Sequence, residues 1–557
     1  MTTISVALNS ALERHRSGDL EEAARLYREI LASNARQPDA WHLLGLIDYA
    51  RGNYAPAIEH IRRAILLDGA QASFHNHLGE ALLAAGFLPE AEASCRRGLA
   101  LEADFAIGHN TLGTVLAARG ALDEAIASYR RAIALAPQFA QAHYNLGLGL
   151  EAQEAFAEAE SSYRHALAAK ANYSLALHAL GRLLQRQRRF EDAVACYRQL
   201  LTLAPNDAAT LCNLASALKD QDRFDEALQN YDRALAIEPQ LAEAHFNQAV
   251  IHQARQQHTA AEAAYRRAIL ARPRYPEALS NLGTICKLQG RLGEAMECYE
   301  RALAVDDTLA EPHRNRALLR LLTGNFADGW REYEWRRRVP GLPRTSFSQP
   351  QWQGQPMPGQ TLLLVAEQGL GDTLQFVRYA ALAKKQNAAR VLLHAPQRLH
   401  GLLSSVAGVD QFLSGDVTQP FDAYLPLLSA PAVFGTTLET VPADVPYLVA
   451  DAERVAHWQR ELASNAGFKV AIAWQGNPAY EDDARRSVPL AAFAPLADLP
   501  DVRLFSLQKQ HGLEQLAALA GRLRIVDLGP RLDEGGDAFV DTAAVMKNMD
   551  LVVTSDT

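Results

Sequence analysis

Three stretches of the chain place residue types at spacings that chemistry can use. The first, EQGLGD at 367–372, follows an apolar run and precedes an amphipathic one. It reads as strand, tight loop and helix, a geometry in which Gly369 and Gly371 let backbone N–H groups face a phosphate. No Gly-Lys-Ser/Thr follows, so it is not a triphosphate-binding loop, and it lacks the third glycine of the dinucleotide fingerprint. Asp372 and Gln375 form a capping box, which predicts a helix over 373–387 and an ionised carboxylate at its N-terminus. The second stretch, WQGNPAYEDDARRSVPL at 474–490, sets a Gly476-Asn477 loop and the pair Arg485 and Arg486 ahead of a helix start. Fork-shaped donors beside free N–H groups suit a diphosphate; an exposed basic pair without a ligand fits equally well. The acids Glu481, Asp482 and Asp483 between them read as a solvated loop rather than a metal site.

The third set is a row of asparagines, Asn145, Asn213, Asn247, Asn281 and Asn315, four of them in consecutive 34-residue steps. A side-chain amide donates to a carbonyl and accepts from an N–H, so such a row can grip an extended peptide without reading its sequence; bonding within each repeat accounts for it as well.

The elements that must position these residues fall into two kinds. Gly45, Gly79, Gly113, Gly147 and Gly181 are 34 residues apart, and the step continues through Ala215, Ala249, Gly283 and Ala317. Twelve residues later the series Ala57, Ala91, Ala125, Ala159, Ala193, Ala227, Ala261 and Ala295 keeps the step. Small residues at both places mark the close crossing of two helices. Tyr129, Tyr163, Tyr197, Tyr231, Tyr265 and Tyr299 fill the space beside them, and Gly18, Gly52, Gly86, Gly120, Gly290 and Gly324 sit at the turn. Ten such units run from about residue 4 to 339, and they resemble the tetratricopeptide repeat, which implies a right-handed α-solenoid with a concave groove for peptides. In the last unit Trp330, Tyr333 and Trp335 load the second helix with aromatics expected to pack on the C-terminal region.

A Pro/Gly/Gln-rich stretch, 340–360, reads as an extended linker. Beyond it strands alternate with helices: strands at 361–366, 390–395, near 411 and near 423, then 469–474, 502–507, 523–528 and 550–556. This predicts two successive parallel sheets with ligands at the carboxyl ends of the strands, in a first lobe over 361–465 and a second over 466–557.

Composition narrows the function classes. A net charge of −9 gives no basic footprint for nucleic acid. The five cysteines, Cys95, Cys196, Cys212, Cys286 and Cys298, lack metal or redox spacing and read as packing residues in a reducing compartment. With no signal-peptide core and no long apolar segment, a cytoplasmic location without a membrane span is expected.

The repeats, GWREYEWR, EQGLGDTLQF, AWQGNP with RRS, SLQK and the closing DLVVTSDT together resemble bacterial tetratricopeptide-repeat proteins fused to a glycosyltransferase, similar to protein O-linked N-acetylglucosamine transferases and to lipopolysaccharide heptosyltransferases. The resemblance implies a GT-B fold of two Rossmann-like lobes and inverting transfer from a nucleotide sugar, with uridine diphosphate N-acetylglucosamine as the family's donor and no metal or other cofactor. Carried onto this sequence, it gives Asp372 as general base for the acceptor hydroxyl and Arg486 on the donor diphosphate, beside Gly476 and Asn477. It sets Gln508 and Lys509 near the base or ribose, and Asp556 and Thr557 at the start of a donor loop. Family members continue past that point, so the second lobe is expected to be incomplete here, with an open sheet edge. A protein or peptide acceptor would lie in the repeat groove. The alternative is a non-catalytic repeat scaffold for protein partners with a vestigial α/β platform.

Overall fold

A computed structural model describes residues 4–341, 347–386, 388–479 and 483–555, apart from the side chains of 4, 484 and 485. Asp556 and Thr557, and the acids Glu481 and Asp482, lie outside the described residues. The chain divides into two compact units, Met1–Pro273 and Arg274–Thr557.

The first unit is a succession of helix hairpins, from Ile4–Arg16 with Leu20–Ser33 to Ala242–Ala254 with His258–Ala271. The small residues stand where their size is needed. A Cβ on Gly113 would lie 2.6 Å from the Tyr129 ring, and one on Gly147 would lie 2.5 Å from the Tyr163 ring. The alanines opposite, Ala57 through Ala261, are fully buried, and so are Tyr163, Tyr197, Tyr231 and Tyr265. Each hairpin thus closes on a tyrosine or its equivalent wedged against a glycine or alanine, where one extra methyl group overpacks the crossing.

The turn position reveals a rule that the glycines alone conceal. Gly18, Gly52, Gly86 and Gly120 are left-handed, and so are Glu154, Arg188, Asp222 and Gln256, which continue the same 34-residue step with φ between 58° and 62°. The reason is the hydrogen-bonding pattern that ends the first helix. Arg188 N–H donates to Gln185 O and Arg189 N–H to Leu184 O, as Gly18 and Asp19 do to His15 O and Arg14 O. Only a left-handed residue closes that pair, so four repeats hold a side chain in a conformation that glycine adopts without cost.

The second unit begins with two more hairpins, Pro276–Leu288 with Leu292–Val305 and Ala310–Leu322 with Phe326–Tyr333, and a 3-10 turn, Glu334–Arg338. They belong to the same compact unit as the α/β part, whereas the sequence pattern sets a boundary at 339. Four parallel strands come next, β1 (Thr361–Val365), β2 (Arg390–His394), β3 (Gln411–Leu413) and β4 (Ala423–Pro426), in the order β3-β2-β1-β4. A second parallel sheet holds β5 (Phe468–Ala473), β6 (Val502–Ser506), β7 (Ile525–Asp527) and β8 (Leu551–Thr554), in the order β7-β6-β5-β8. Both sheets therefore reverse direction beside their first strand, which puts a crevice at the carboxyl ends of β1 and β4 and another at those of β5 and β8.

The described part of the stretch expected to be a linker is extended and also packed. Trp352 is fully buried, its backbone N–H donates to Tyr424 O, and Tyr424 N–H donates to Pro350 O, so the segment lines the outer edge of β4. Helix Ala452–Glu461, expected in the first lobe, packs through Trp458 on Phe505, Leu528 and Ala544 of the second. β8 is half-exposed, unlike β4. The lobes touch where Ala538 N–H donates to Arg398 O (2.6 Å), joining the loop after β2 to the segment after β7.

Glycine substitution checks the turn rule. Arg188→Gly and Gln256→Gly should each raise stability of the first unit by about 0.5–1 kcal/mol, and Gly86→Ala should lower it by about 1 kcal/mol, read from urea unfolding followed by circular dichroism.

Candidate functional site

The loop after β1 is built differently from the phosphate cradle that its glycines suggest. The helix starts at Leu370, not 373, and breaks at Val377–Arg378 before resuming as Tyr379–Lys385. Gly369 is therefore the cap, and Asp372 sits in the first turn with its carboxylate accepting the Gly369 N–H at 3.1 Å. The chain's own anion occupies the donor that a phosphate would take. Gly371 faces open space, and Gly369 has an ordinary negative φ, so neither glycine is demanded by backbone strain.

Asp372 also departs from its sequence reading in electrostatics. Burial pushes its carboxyl above the usual aspartate value, and the Gly369 N–H pulls back only part of the way. A carboxylate at a helix start with a raised pKa is a stronger base than a simple cap. Around it stand Gln368 and the phenol of Tyr333, which feels the Asp372 charge.

What fixes this loop is the last residue of GWREYEWR, to which the sequence assigns no role of its own. Arg336, in the 3-10 turn that ends the repeats, is 2% exposed. Its Nη2 donates to Glu367 Oε2 (2.7 Å) and Ser429 Oγ (2.8 Å), and its Nη1 to Glu334 Oε1 (2.7 Å). Glu367 opens the β1 loop and Ser429 lies in the turn after β4, so one guanidinium ties the last hairpin to both sides of the first crevice. Burial works against the charged guanidinium, but Glu367 and Glu334 outweigh it and raise its pKa; burial of Glu367 pushes that carboxyl up against the pull of Arg336. Trp330 completes the junction edge-on to Phe376, with centroids 6.2 Å apart. Trp335 turns back instead and stacks on His313 at 3.8 Å.

Beside Glu367 a cavity of about 570 Å³ opens at the carboxyl ends of β1, β2 and β3, lined by Gln368, His394, Gln397 and Ser414 among others. His394 Nε2 is 2.8 Å from Gly415 O, which can only accept, so Nε2 carries the proton. Its buried Nδ1 meets no partner among the described residues.

In the second lobe the predicted residues are close together but mostly committed to one another. Gln508 Oε1 accepts from Trp474 N–H (2.9 Å) and Gln475 N–H (3.2 Å), and its Nε2 donates to Gln475 O (2.6 Å) and His511 O (2.9 Å). All of that amide's capacity straps the loop after β5 to the loop after β6, so Gln508 positions the loops rather than reading a nucleotide. Lys509 Nζ donates to Leu532 O (2.5 Å). Asn477 Oδ1 accepts from Ala479 N–H (3.0 Å), a turn within its own loop. Gly476 N–H donates to Ser487 Oγ (3.3 Å) and Val488 N–H to Trp474 O (2.8 Å), which brings the RRS segment back onto the Gly476 loop. Arg486 ends the one-turn helix Asp483–Arg486, with Nε 3.7 Å from the buried Asp483 carboxylate. The arginine thus ends one helical turn and, as expected, still precedes the helical segment that begins at Leu490.

Three of the five asparagines bond to residues of the repeats themselves. Asn145 Nδ2 donates to Asn110 Oδ1 (2.9 Å), and Asn213 pairs with His178 Nε2 (3.0 Å). His42 and His77 make the same register of contact at 3.0 Å, so a residue three before the small position reaches one two before it in the next repeat. Asn247 instead donates to Glu243 O of its own helix and accepts from Lys219 Nζ. Asn281 and Asn315 are half-buried on the first helices of the second unit's hairpins. The cysteines lie among the packed helices as expected, and burial pushes the Cys95 thiol up to about 12 and Cys196 to about 11, far from a nucleophile's range.

The raised pKa of Asp372 has a sign that experiment can read. The folded chain holds this proton to higher pH than the unfolded chain, so wild-type stability falls as pH rises through the unfolded aspartate value of about 4. Asp372→Asn keeps the Gly369 contact and removes the buried charge. The variant should match the wild type below about pH 4 and be the more stable protein at pH 7, and a lower melting temperature at pH 7 contradicts this account of the loop.

Comparison with known proteins bears on the repeats. Models described as tetratricopeptide repeat match residues 8–72, 43–106, 173–240, 212–269 and 276–309, and one described as TPR repeat matches 113–154. Protein FlbA of Caulobacter vibrioides is 26% identical over 273 residues, a match that covers 43% of this chain and 44% of FlbA, less than half of that relative's length. Among solved structures, MamA is 26% identical over 29% of this chain and 94% of its own, with a TM-score of 0.27. Pseudomonas aeruginosa PilF is 23% identical over 38% of this chain and 97% of its own, with a TM-score of 0.35. On the repeat register and the family models, the chain carries tetratricopeptide repeats, followed by a C-terminal region of parallel sheets and helices.

Proposed function

We propose that the α/β region is a glycosyltransferase, moving a sugar from a nucleotide sugar to a hydroxyl of a protein or peptide bound by the repeats. The observation that carries this reading is the pair of four-stranded parallel sheets of matching order, joined at their carboxyl-end loops, with a half-buried carboxylate of raised pKa at the first switch point. A GT-B arrangement asks for that layout.

In the proposed reaction the acceptor oxygen attacks the anomeric carbon from the side of the first lobe. The new C–O bond forms, the bond from that carbon to the diphosphate oxygen breaks, and its electron pair leaves with the nucleotide. Asp372 takes the hydroxyl proton, and Arg486 offsets charge on the departing diphosphate. Donor contacts fall to the backbone of the Gly476–Asn477 loop and to Arg486, because Gln508 is spent on the strap and Gly369 on Asp372. Asp556 and Thr557 belong to the same proposed donor set. The second reading, a repeat scaffold for protein partners without transfer, is favoured by the family models, which match tetratricopeptide repeats within residues 8–309.

Thermal unfolding with uridine, adenosine and guanosine diphosphates separates the two. Binding to the native state at a hundredfold excess over Kd stabilises by about 2.7 kcal/mol. One nucleotide should raise the midpoint, Arg486→Ala should abolish that shift, and Asp372→Asn should keep the shift while losing sugar transfer to a peptide in a radiolabel assay. No shift with any of the three supports the scaffold.

A further inference from the structure

A cavity of about 890 Å³ lies between the last hairpin and the turn after β4, and none of the residues discussed for transfer lines it. Its wall on the repeat side carries Trp330, Trp335, Arg331, Arg337 and Arg338; Gln351 and Thr436 face them from the other side. Three guanidinium groups thus line the space against one carboxylate, Glu334, which is already engaged by the buried Arg336.

The arginines differ in how they are held. Arg338 is exposed and lies 4.2 Å over the Trp335 ring. Arg337 donates to Gln351 and to the Tyr424 hydroxyl at 3.1 Å. Arg331 is 79% exposed at its side chain, with Asp328 at 3.3 Å, an exposed pair of small worth. On a chain of net charge −9, this basic, aromatic-walled recess is a local exception. At physiological ionic strength charges are felt over about 8 Å, so a ligand in the recess responds to these arginines and not to the distant acids.

We propose that this recess binds an acidic peptide segment, its carboxylates on the exposed Arg331 and Arg338 and its backbone beside Trp330. A volume of this size takes a short segment rather than a folded domain. Ser429 lines the recess and also accepts from Arg336, which holds Glu367, so a peptide seated here ends beside the loop that carries Asp372. The inference deepens the transfer reading by giving the acceptor a chemistry: hydroxyl residues flanked by Asp and Glu.

The test is fluorescence anisotropy of the full chain with labelled twelve-residue peptides, one rich in Asp and Glu, one neutral and one rich in Lys. The acidic peptide should bind at least tenfold tighter than the neutral one, weaken steadily from 50 to 500 mM NaCl, and lose at least tenfold in Arg331→Glu/Arg338→Glu. Both arginines are exposed, so that variant should keep the wild-type melting temperature. Equal binding of acidic and neutral peptides, or unchanged affinity in the double variant, overturns the proposal; so does tighter binding of a duplex DNA of matched charge, which would make the recess a general polyanion site. The readout needs no nucleotide and no transfer, so a failed nucleotide shift leaves it standing and its own failure leaves the transferase reading intact.

Discussion

The Arg336–Glu367 ion pair is the contact on which the rest of the second unit depends. Two charges at 2% and 3% side-chain exposure have left water, and their attraction offsets that loss only while the geometry and the flanking bonds to Ser429 and Glu334 hold. Removing either partner strands the other in the interior, which costs on the order of 3–5 kcal/mol. An apolar contact would tolerate sliding; a buried guanidinium with three fixed acceptors admits one register. The end of the repeats is thereby set against the β1 loop to within a hydrogen bond's tolerance.

That constraint explains why the last two hairpins fall with the α/β region. Glu332, buried, gathers His313, Arg316 and Arg320 and locks the final hairpin internally. Arg336, one turn further on, carries that rigidity to Glu367. Asp372 then follows five residues along the same loop, held by Gly369. A partner bound to this hairpin and the chemistry proposed for the β1 loop share one rigid connection, and the basic recess opens on that connection.

Much of this was legible in the sequence because it depends on period and size. The 34-residue spacing of Gly113, Gly147 and Gly181 reports a helix crossing, and a change to alternating strands reports parallel sheets; both are local patterns that tertiary structure reinforces. The left-handed turns at Glu154 and Arg188 were hidden because glycine marks such a position only where selection has supplied one. The β1 loop misled for a physical reason: a capping carboxylate can face forward or back, and Asp372 reaches back to Gly369, which shifts the helix start by three residues and buries the charge. Gln508 was read as a ligand group because an amide after a strand looks the same whether it faces a nucleotide or a neighbouring loop. Arg336 was illegible among the arginines of EWRRR, since only packing tells which guanidinium is buried. The asparagine row was a true periodic signal, but its meaning, repeat joined to repeat at Asn145 and Asn213, lay between elements and not within any one of them.

The most direct measurement of the coupling is amide hydrogen exchange of Arg336→Met against the wild type. If the ion pair is what fixes the β1 loop, protection should fall together at 326–338, 366–376 and 427–431, while β5 and β6 keep theirs. Loss of protection confined to 334–338 would contradict it, because the loop would then owe its position to its own sheet and not to the repeats.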